Sequence, residues 1–289
     1  MTIPAILHPI SRDLQRVRDE VEHQLSQIST DALSQFQAIT DDSLHHLFTV
    51  RGKYLRPSLV LLTARAFGDK YAVDIEPLLK IAAAVELIHS ASLVHDDIID
   101  MADERRGRPS LNSVFGNKMA VLVGDLLYDQ AFSLLTELTV LGAGAQLALF
   151  ELFTSMARKM CLGEIYEEQI VADPGAVTFD EYLQVIDYKT ASLMACCCGA
   201  SAIAVGADDG DSALVQEYGH HLGRTYQLID DVIDEDSVFF DRQRMLNRAI
   251  EEGSLGNRAL GKFAENDSTR RLAEITQAVI GRAEQAIRV

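Results

Sequence analysis

LIHSASLVHDDIIDMADERRGRPS, residues 87–110, is the stretch whose reading decides how this chain folds. Its DDIID, residues 96–100, sits in a run without glycine or proline from 78 to 106, and Pro77 stands just ahead of it at a position that favours helix entry. The run predicts one helix. Asp96 and Asp100, four residues apart, rise about 6 Å along such a helix and share a face, with Asp97 one step round. Three carboxylates in one turn repel each other and weaken the helix unless a cation lies between them.

A second copy, DDVID at 230–234, lies in another run without glycine or proline, residues 224–252. Apolar residues lead into both copies, SLVH into the first and YQLI into the second. Either motif alone could be a solvated acidic face. Two of them predict antiparallel helices that aim Asp96, Asp97, Asp100, Asp230, Asp231 and Asp234 into one cavity. Oxygen-only ligands select a hard cation such as Mg2+, which keeps some of its waters and is shared with substrate phosphates. A diphosphate held through Mg2+ is the expected occupant.

Composition narrows the class. Only 6 Pro and 18 Gly, no Trp, and long Ala- and Leu-rich stretches favour helix over sheet, and no Pro- or Ser-rich linker divides the chain. The expectation is an all-α fold in one domain, residues 1–289. A formal charge of -17 argues against a nucleic-acid partner, whose phosphates need a basic surface. Three of the four cysteines are adjacent, at 196–198, a pattern suited to a reduced, cytoplasmic protein rather than to a disulfide framework. Neighbouring residues on a helix diverge by about 100°, so these thiols are not expected to share a zinc. The N-terminus lacks a basic leader followed by an apolar core and is not read as a signal peptide. The longest uncharged stretch, 190–207, contains Gly199, Gly206, Ser192 and Ser201 and is read as a buried helix, so no transmembrane segment is expected.

Along the chain, residues 11–50 carry apolar positions at helical spacing, such as Leu14, Val17, Val21 and Leu25, and predict one or two packing helices. RGKYLRP at 51–57 gathers cations at a loop-to-helix junction, where Lys53 and Arg56 could bind phosphate or simply answer nearby acids. His89 lies seven residues before Asp96, on the same side. Arg105 and Arg106 are expected at the end of the DDIID helix, where they complement its dipole and could reach the far oxygens of a metal-bound diphosphate. Residues 117–165 predict two apolar helices, 173–175 a turn, and Thr178 with Glu181 a capping box. The helix after that carries Lys189 and Thr190, and Gln227 stands one turn before Asp231.

Taken in chain order, GKYLRP, LIHSASLVHDDIIDMADERRGRPS, VGDLLYDQAF, KTAS and LGRTYQLIDDVIDE resemble the trans-polyprenyl diphosphate synthase family over about residues 45–235. The resemblance implies a bundle of about a dozen helices around a deep central cavity, usually homodimeric. It implies an Mg2+-dependent condensation in which an allylic diphosphate ionises, isopentenyl diphosphate attacks the carbocation, and a proton is lost to lengthen an all-trans chain. Carried over, Asp96, Asp100 and Asp230 bind Mg2+, with Asp97, Asp231 and Asp234 beside them as ligands or one step removed. Arg105, Lys189, Thr190 and Gln227 hold the allylic diphosphate. Lys53, Arg56, His89 and Arg106 hold isopentenyl diphosphate. The expected catalytic set is Asp96, Asp97, Asp100, Arg105, Lys189, Gln227 and Asp230, with the departed diphosphate as final base.

Short-chain relatives place aromatic rings four and five residues before the first motif, where this chain has Ser92 and Ala91, which implies a product of C30 or longer. The chain also departs from the family pattern. Arg51 and Tyr54 replace a common Gly and Arg, and SVFFDRQRMLNRAIEE, with helical periodicity, stands where the family has GKxxGxD and GKxTLP. GKFAEND at 261–267 matches the first half superficially, ahead of what looks like a capped terminal helix. Two alternatives therefore stay open: a non-catalytic or regulatory subunit of a heteromeric synthase, and a class I terpene cyclase. The intact acids argue against the first; GKYLRP and His89 argue against the second.

Overall fold

The computed structural model describes residues 2–49, 52–172, 177–233 and 240–287, with side chains up to residue 283 in the last helix. In chain order the elements are α1 (Ile3–Leu7), α2 (Ser11–Asp31), α3 (Gln37–Phe48), α4 (Leu55–Ala66), α5 (Ile75–Ile99), β1 (Glu104–Arg105), β2 (Arg108–Pro109), α6 (Leu111–Phe115), α7 (Asn117–Thr136) and α8 (Ala143–Ala172). They continue as α9 (Phe179–Ile186), a π-helical turn (Asp187–Ala191), α10 (Ser192–Val205), α11 (Asp209–Ile233), α12 (Arg242–Leu260) and α13 (Asp267–Ile287). The all-α expectation holds, with thirteen α-helical segments among the described residues.

Local chemistry sets the ends of these helices. Asp74 caps α5 by accepting from the Glu76 N–H, and Thr178 and Glu181 form the expected capping box on α9. Asp241 caps α12 through the Arg244 N–H, while Asn266 accepts from the N–H groups of Ser268 and Thr269 at the start of α13. The pair of helices expected over residues 11–50 is α2 and α3. Arg51, the turn expected at 173–175 and Asp234 lie outside the described residues.

Three expectations are corrected. The run from 78 to 106 is not all helix: α5 stops at Ile99, Met101 takes a positive φ of 52°, and Arg105 pairs with Arg108 in a two-residue hairpin. Arg106 (φ 54°) and Gly107 (φ 74°) are the two central residues, the conformation a type I′ turn requires. Arg105 and Arg106 are therefore presented by a hairpin rather than by a helix end. The run from 224 to 252 likewise divides, with α11 reaching Ile233 and α12 starting at Arg242. Gly253 does not stop α12; an added Cβ there would come within 2.8 Å of Ile280, so it is a point of close approach to α13. Finally, α5 and α11 do not pack along each other as an antiparallel pair. Each lies against α10, and the space between their ends is the cavity described below.

One continuous set of buried apolar side chains runs from Ile3 to Ala283. Three stretches, Ile75–Ile99, Asn117–Thr136 and Phe179–Val205, are long and apolar enough to cross a membrane by length and composition. The first and third lie mostly inside the bundle, and α10 carries Cys196, Cys197 and Cys198 into the core, where burial raises their thiol pKa values. Those cysteines are small core residues, as their sequence context suggests.

Charge also holds the α11–α12 seam together. Glu252 of α12 is fully buried and accepts from Arg224 at 2.9 Å, from Arg248 at 2.8 Å and from His221. Burial pushes its carboxyl pKa up, but His221, Arg224 and Arg248 more than reverse this, and it falls to about 2 from an ordinary 4.5. A depressed folded-state pKa gives stability that is present above pH 4.5 and lost as pH falls towards 2. Glu252→Gln should cost about 1–3 kcal/mol in chemical denaturation at pH 7, because charge-assisted bonds to Arg224 and Arg248 become neutral ones while Asp187 and Glu251 still compensate those cations. Its thermal midpoint should also fall less steeply than the wild type's between pH 4.5 and 2; equal acid slopes would contradict this assignment.

Candidate active site

Asp96 from α5 and Asp230 from α11 line one cavity of about 850 Å³. Among the other expected residues, Lys53, Arg56, His89, Arg105, Arg106, Lys189, Thr190 and Gln227 line it as well. The remaining acids of the described motifs stand differently. Asp97 turns away from the main cavity, is buried, and accepts from Arg105 Nε at 2.5 Å. Asp231 is held by the Tyr182 hydroxyl and by Gln227 Nε2 at 2.9 Å; burial first, then its acidic neighbours, push its pKa up to about 6. Asp100, at the exposed end of α5, has its pKa raised by burial and by Asp96.

The π-helical turn aims Lys189 and Thr190. A π-turn inside a helix inserts an extra residue and is frequent at functional sites. This one is gripped from both sides by glycines. An added Cβ at Gly163 of α8 would stand 2.5 Å from the Lys189 nitrogen, and one at Gly223 of α11 would stand 2.4 Å from the Ala191 Cα. Arg224 ties the turn to α11 through both oxygens of Asp187, at 2.5 and 2.6 Å. Thr190 Oγ1 then donates to Gln227 Oε1 at 2.6 Å, and Gln227 passes the register on to Asp231.

Lys189 Nζ lies 3.2 Å from Asp96, 3.2 Å from Glu164 and in contact with Glu167. Burial alone would lower its pKa, but Glu167, Asp96 and Glu164 raise it overall, so it is a fixed ammonium. Arg105 bridges Asp97 and Asp96, at 2.5 and 3.1 Å. Burial pushes Glu164 up to about 7, with Asp96 and Glu167 adding to the rise and Lys189 opposing it.

On the opposite side, Arg56 Nη1 donates to His89 Nε2 at 2.9 Å. A guanidinium cannot accept, so this nitrogen of His89 carries its lone pair and the ring is neutral. Burial, with Arg56, Arg106 and Arg105, drives the His89 pKa well below its ordinary value. The buried Nε of Arg56 has no hydrogen-bond partner among the described residues. An unmet guanidinium donor beside Lys53 and Arg106 is suited to an anionic group. Tyr54 and Arg106 are both held at positive φ, strain of about 1–3 kcal/mol each of the kind that collects at binding sites.

The donor set suits Mg2+. Its acids offer only oxygen, and among the described residues no three Asp, Glu, His or Cys side chains already converge on one point. Mg2+ is commonly held this way, by one or two carboxylates with waters and phosphate oxygens completing the shell.

Sequence reasoning missed Glu164, Glu167 and Arg282. Arg282 of α13 lines the cavity and pairs with Asp230 at 2.6 Å. Lys262, in the GKFAEND segment, is exposed and does not line it. Of the two small residues, Ser92 lines the cavity, four positions from Asp96 and on its face, whereas Ala91 is about 100° further round and buried in the core.

A family model described as polyprenyl synthetase matches residues 37–279. Octaprenyl diphosphate synthase of Escherichia coli (strain K12) is 36% identical over 190 residues, 66% of this chain and 55% of that protein. Heptaprenyl diphosphate synthase component 2 of Geobacillus stearothermophilus is 36% identical over 238 residues, 81% of this chain and 67% of that protein. The chain thus spans about half the length of the first of these curated relatives. The crystal structure of a polyprenyl synthase from Caulobacter crescentus CB15, complexed with calcium and isoprenyl diphosphate, covers 96% of this chain and 97% of its own with a TM-score of 0.83. At 23% identity that likeness establishes the fold. Paired aspartate helices around a cation-lined cavity and a family match over most of the sequence lead to one conclusion: this chain belongs to the polyprenyl synthetase family.

Proposed function

We propose that the chain is a Mg2+-dependent prenyltransferase that condenses isopentenyl diphosphate with an allylic diphosphate to give an all-trans polyprenyl diphosphate of C30 or longer. The observation that carries the reading is that Asp96 and Asp230 line one cavity together with Arg105 and Lys189. Bound Mg2+ would draw negative charge from the departing diphosphate. Asp96, Asp100 and Asp230 would hold the metal; Asp97 positions Arg105, and Asp231 positions Gln227. Asp234 is assigned to the same cluster from its motif.

Lys189 and Arg105 meet the oxygens on which charge grows as the allylic C–O bond breaks, so they bind the transition state more tightly than the ground state. Thr190 and Gln227 fix the orientation of that diphosphate. Lys53, Arg56, His89 and Arg106 hold isopentenyl diphosphate, whose double bond supplies the electron pair for the new C–C bond. Tyr128, Met160 and Leu193 line the same cavity with apolar surface that keeps water from the carbocation. The departed diphosphate takes the proton lost from the isopentenyl unit.

Ser92, small and on the face of Asp96, leaves room for a long product. Ser92→Phe should shorten the products seen by reverse-phase chromatography, whereas Ala91→Phe should leave length unchanged and destabilise the core by about 1–3 kcal/mol. A length change from Ala91→Phe alone would contradict this ruler.

The functional unit in this reading is a cytoplasmic homodimer. Leu122 on α7 and Leu147 on α8 are 58% and 61% exposed, apolar surface suited to a partner of the same kind. A heteromeric assembly is the second reading, favoured by the similarity to a protein named as a synthase component. Sedimentation equilibrium of the purified chain separates the two, since a monomer contradicts the homodimer. The activity is tested with purified protein, Mg2+, labelled isopentenyl diphosphate and allylic primers of several lengths. Elongation supports the synthase, a cyclic hydrocarbon indicates a terpene cyclase, and no product in either direction favours a non-catalytic subunit.

A further inference from the structure

Among the described residues, three cations rest on Asp96 and Asp230, two of the carboxylates assigned to the metal. Arg105 and Lys189 rest on Asp96, and Arg282 rests on Asp230 at 2.6 Å. The first two belong to recognisable motifs. Arg282 belongs to none, and it arrives from the opposite end of the chain on α13, a helix packed against α4, α11 and α12. Its guanidinium also lies over the Tyr226 ring, 5.3 Å from the centroid, and Tyr226 stands one turn before Asp230 on α11. One helix face thus offers Arg282 two supports, a carboxylate that a metal would claim and an aromatic face that it would not.

Resting on the reading above, we propose that Arg282 is a further diphosphate-binding residue, held on Asp230 until a divalent cation takes that carboxylate and releases the guanidinium to the diphosphate. A divalent ion would bring twice a guanidinium's charge to that half-buried carboxylate. The displaced group keeps its stacking on Tyr226 and turns about that ring, so α13 need not move. A planar guanidinium with five donors is suited to the diphosphate oxygens then bound beside the metal. The hand-over couples metal loading to substrate capture from the α13 wall of the cavity.

The test uses isothermal titration calorimetry on the wild type, Arg282→Ala and Arg282→Lys, with magnesium chloride as one titrant and inorganic pyrophosphate into Mg2+-saturated protein as the other. Arg282→Ala should bind Mg2+ alone more tightly, because a competing cation is gone. The same variant should bind pyrophosphate about tenfold more weakly, the size expected for losing charge-assisted hydrogen bonds. Arg282→Lys should fall between the wild type and Arg282→Ala in pyrophosphate affinity, which guards against a fold defect in the alanine variant. Unchanged pyrophosphate affinity in Arg282→Ala, or Mg2+ binding that is no tighter, overturns the hand-over while leaving the synthase reading intact. Failure of the wild type itself to bind pyrophosphate with Mg2+ overturns both.

Discussion

Asp96→Asn is expected to lower the elongation rate roughly a thousandfold, the loss typical when a charge-stabilising group leaves a pre-organised site. The substitution keeps the side chain's shape and removes its charge. Asp96 lies 3.2 Å from Lys189 and 3.1 Å from Arg105, so both cations lose their shared anchor at the same time as the proposed metal site loses a ligand. Asp97→Asn makes the informative contrast. That carboxylate is buried against Arg105 and does not line the main cavity, so its loss should misplace one cation and cost about tenfold. Steady-state kinetics over a range of Mg2+ concentrations checks both. Only Asp96→Asn should raise the Mg2+ needed for half-maximal rate, and equal metal dependence in the two variants would contradict the division of labour drawn between adjacent acids.

The second large effect is structural in origin. Gly223→Ala puts a methyl group 2.4 Å from the Ala191 Cα, a backbone atom that cannot step aside as a flexible side chain would. Relief requires α11 to shift from the π-turn, which separates Lys189 and Thr190 from Gln227 and Asp230. We expect a loss of about 1–3 kcal/mol or more in denaturant unfolding, together with a fall in activity larger than the stability loss explains. Gly281→Ala is the control. It lies in α13 with open space around it, and it should gain up to about 1 kcal/mol from helix propensity. A Gly223→Ala protein with wild-type stability and rate would show that the close contact does not set the geometry of the site.

Much of this was readable in the sequence because the chemistry was local. Asp96, Asp230, Lys189 and Gln227, which line one cavity, and the capping box at Thr178 and Glu181 stand in segments whose neighbouring residues signal them. The end of α5 was not readable by the same rule. Between 78 and 106 no glycine or proline marks a stop, and the helix instead ends through a positive φ at Met101, a residue with no local signature for it. The RRGR sequence did hold a turn signal in Gly107, but a type I′ turn also needs a strained Arg106, which tertiary contacts must enforce. Arg282 reaches Asp230 only because α13 folds back on α11, and Glu164 meets Lys189 only because Gly163 lets α8 approach the π-turn. Long-range packing of this kind leaves no periodic trace in a single sequence.

In the proposed reaction the two aspartate helices clasp one metal-bound diphosphate between them. Anomalous diffraction from crystals grown with Mn2+ and a non-ionising allylic thiodiphosphate tests it directly. Manganese peaks are expected at coordination distance from both Asp96 and Asp230, with the thiodiphosphate oxygens linking them. Metal at only one of the two helices, or a diphosphate bound outside the shared cavity, would contradict it.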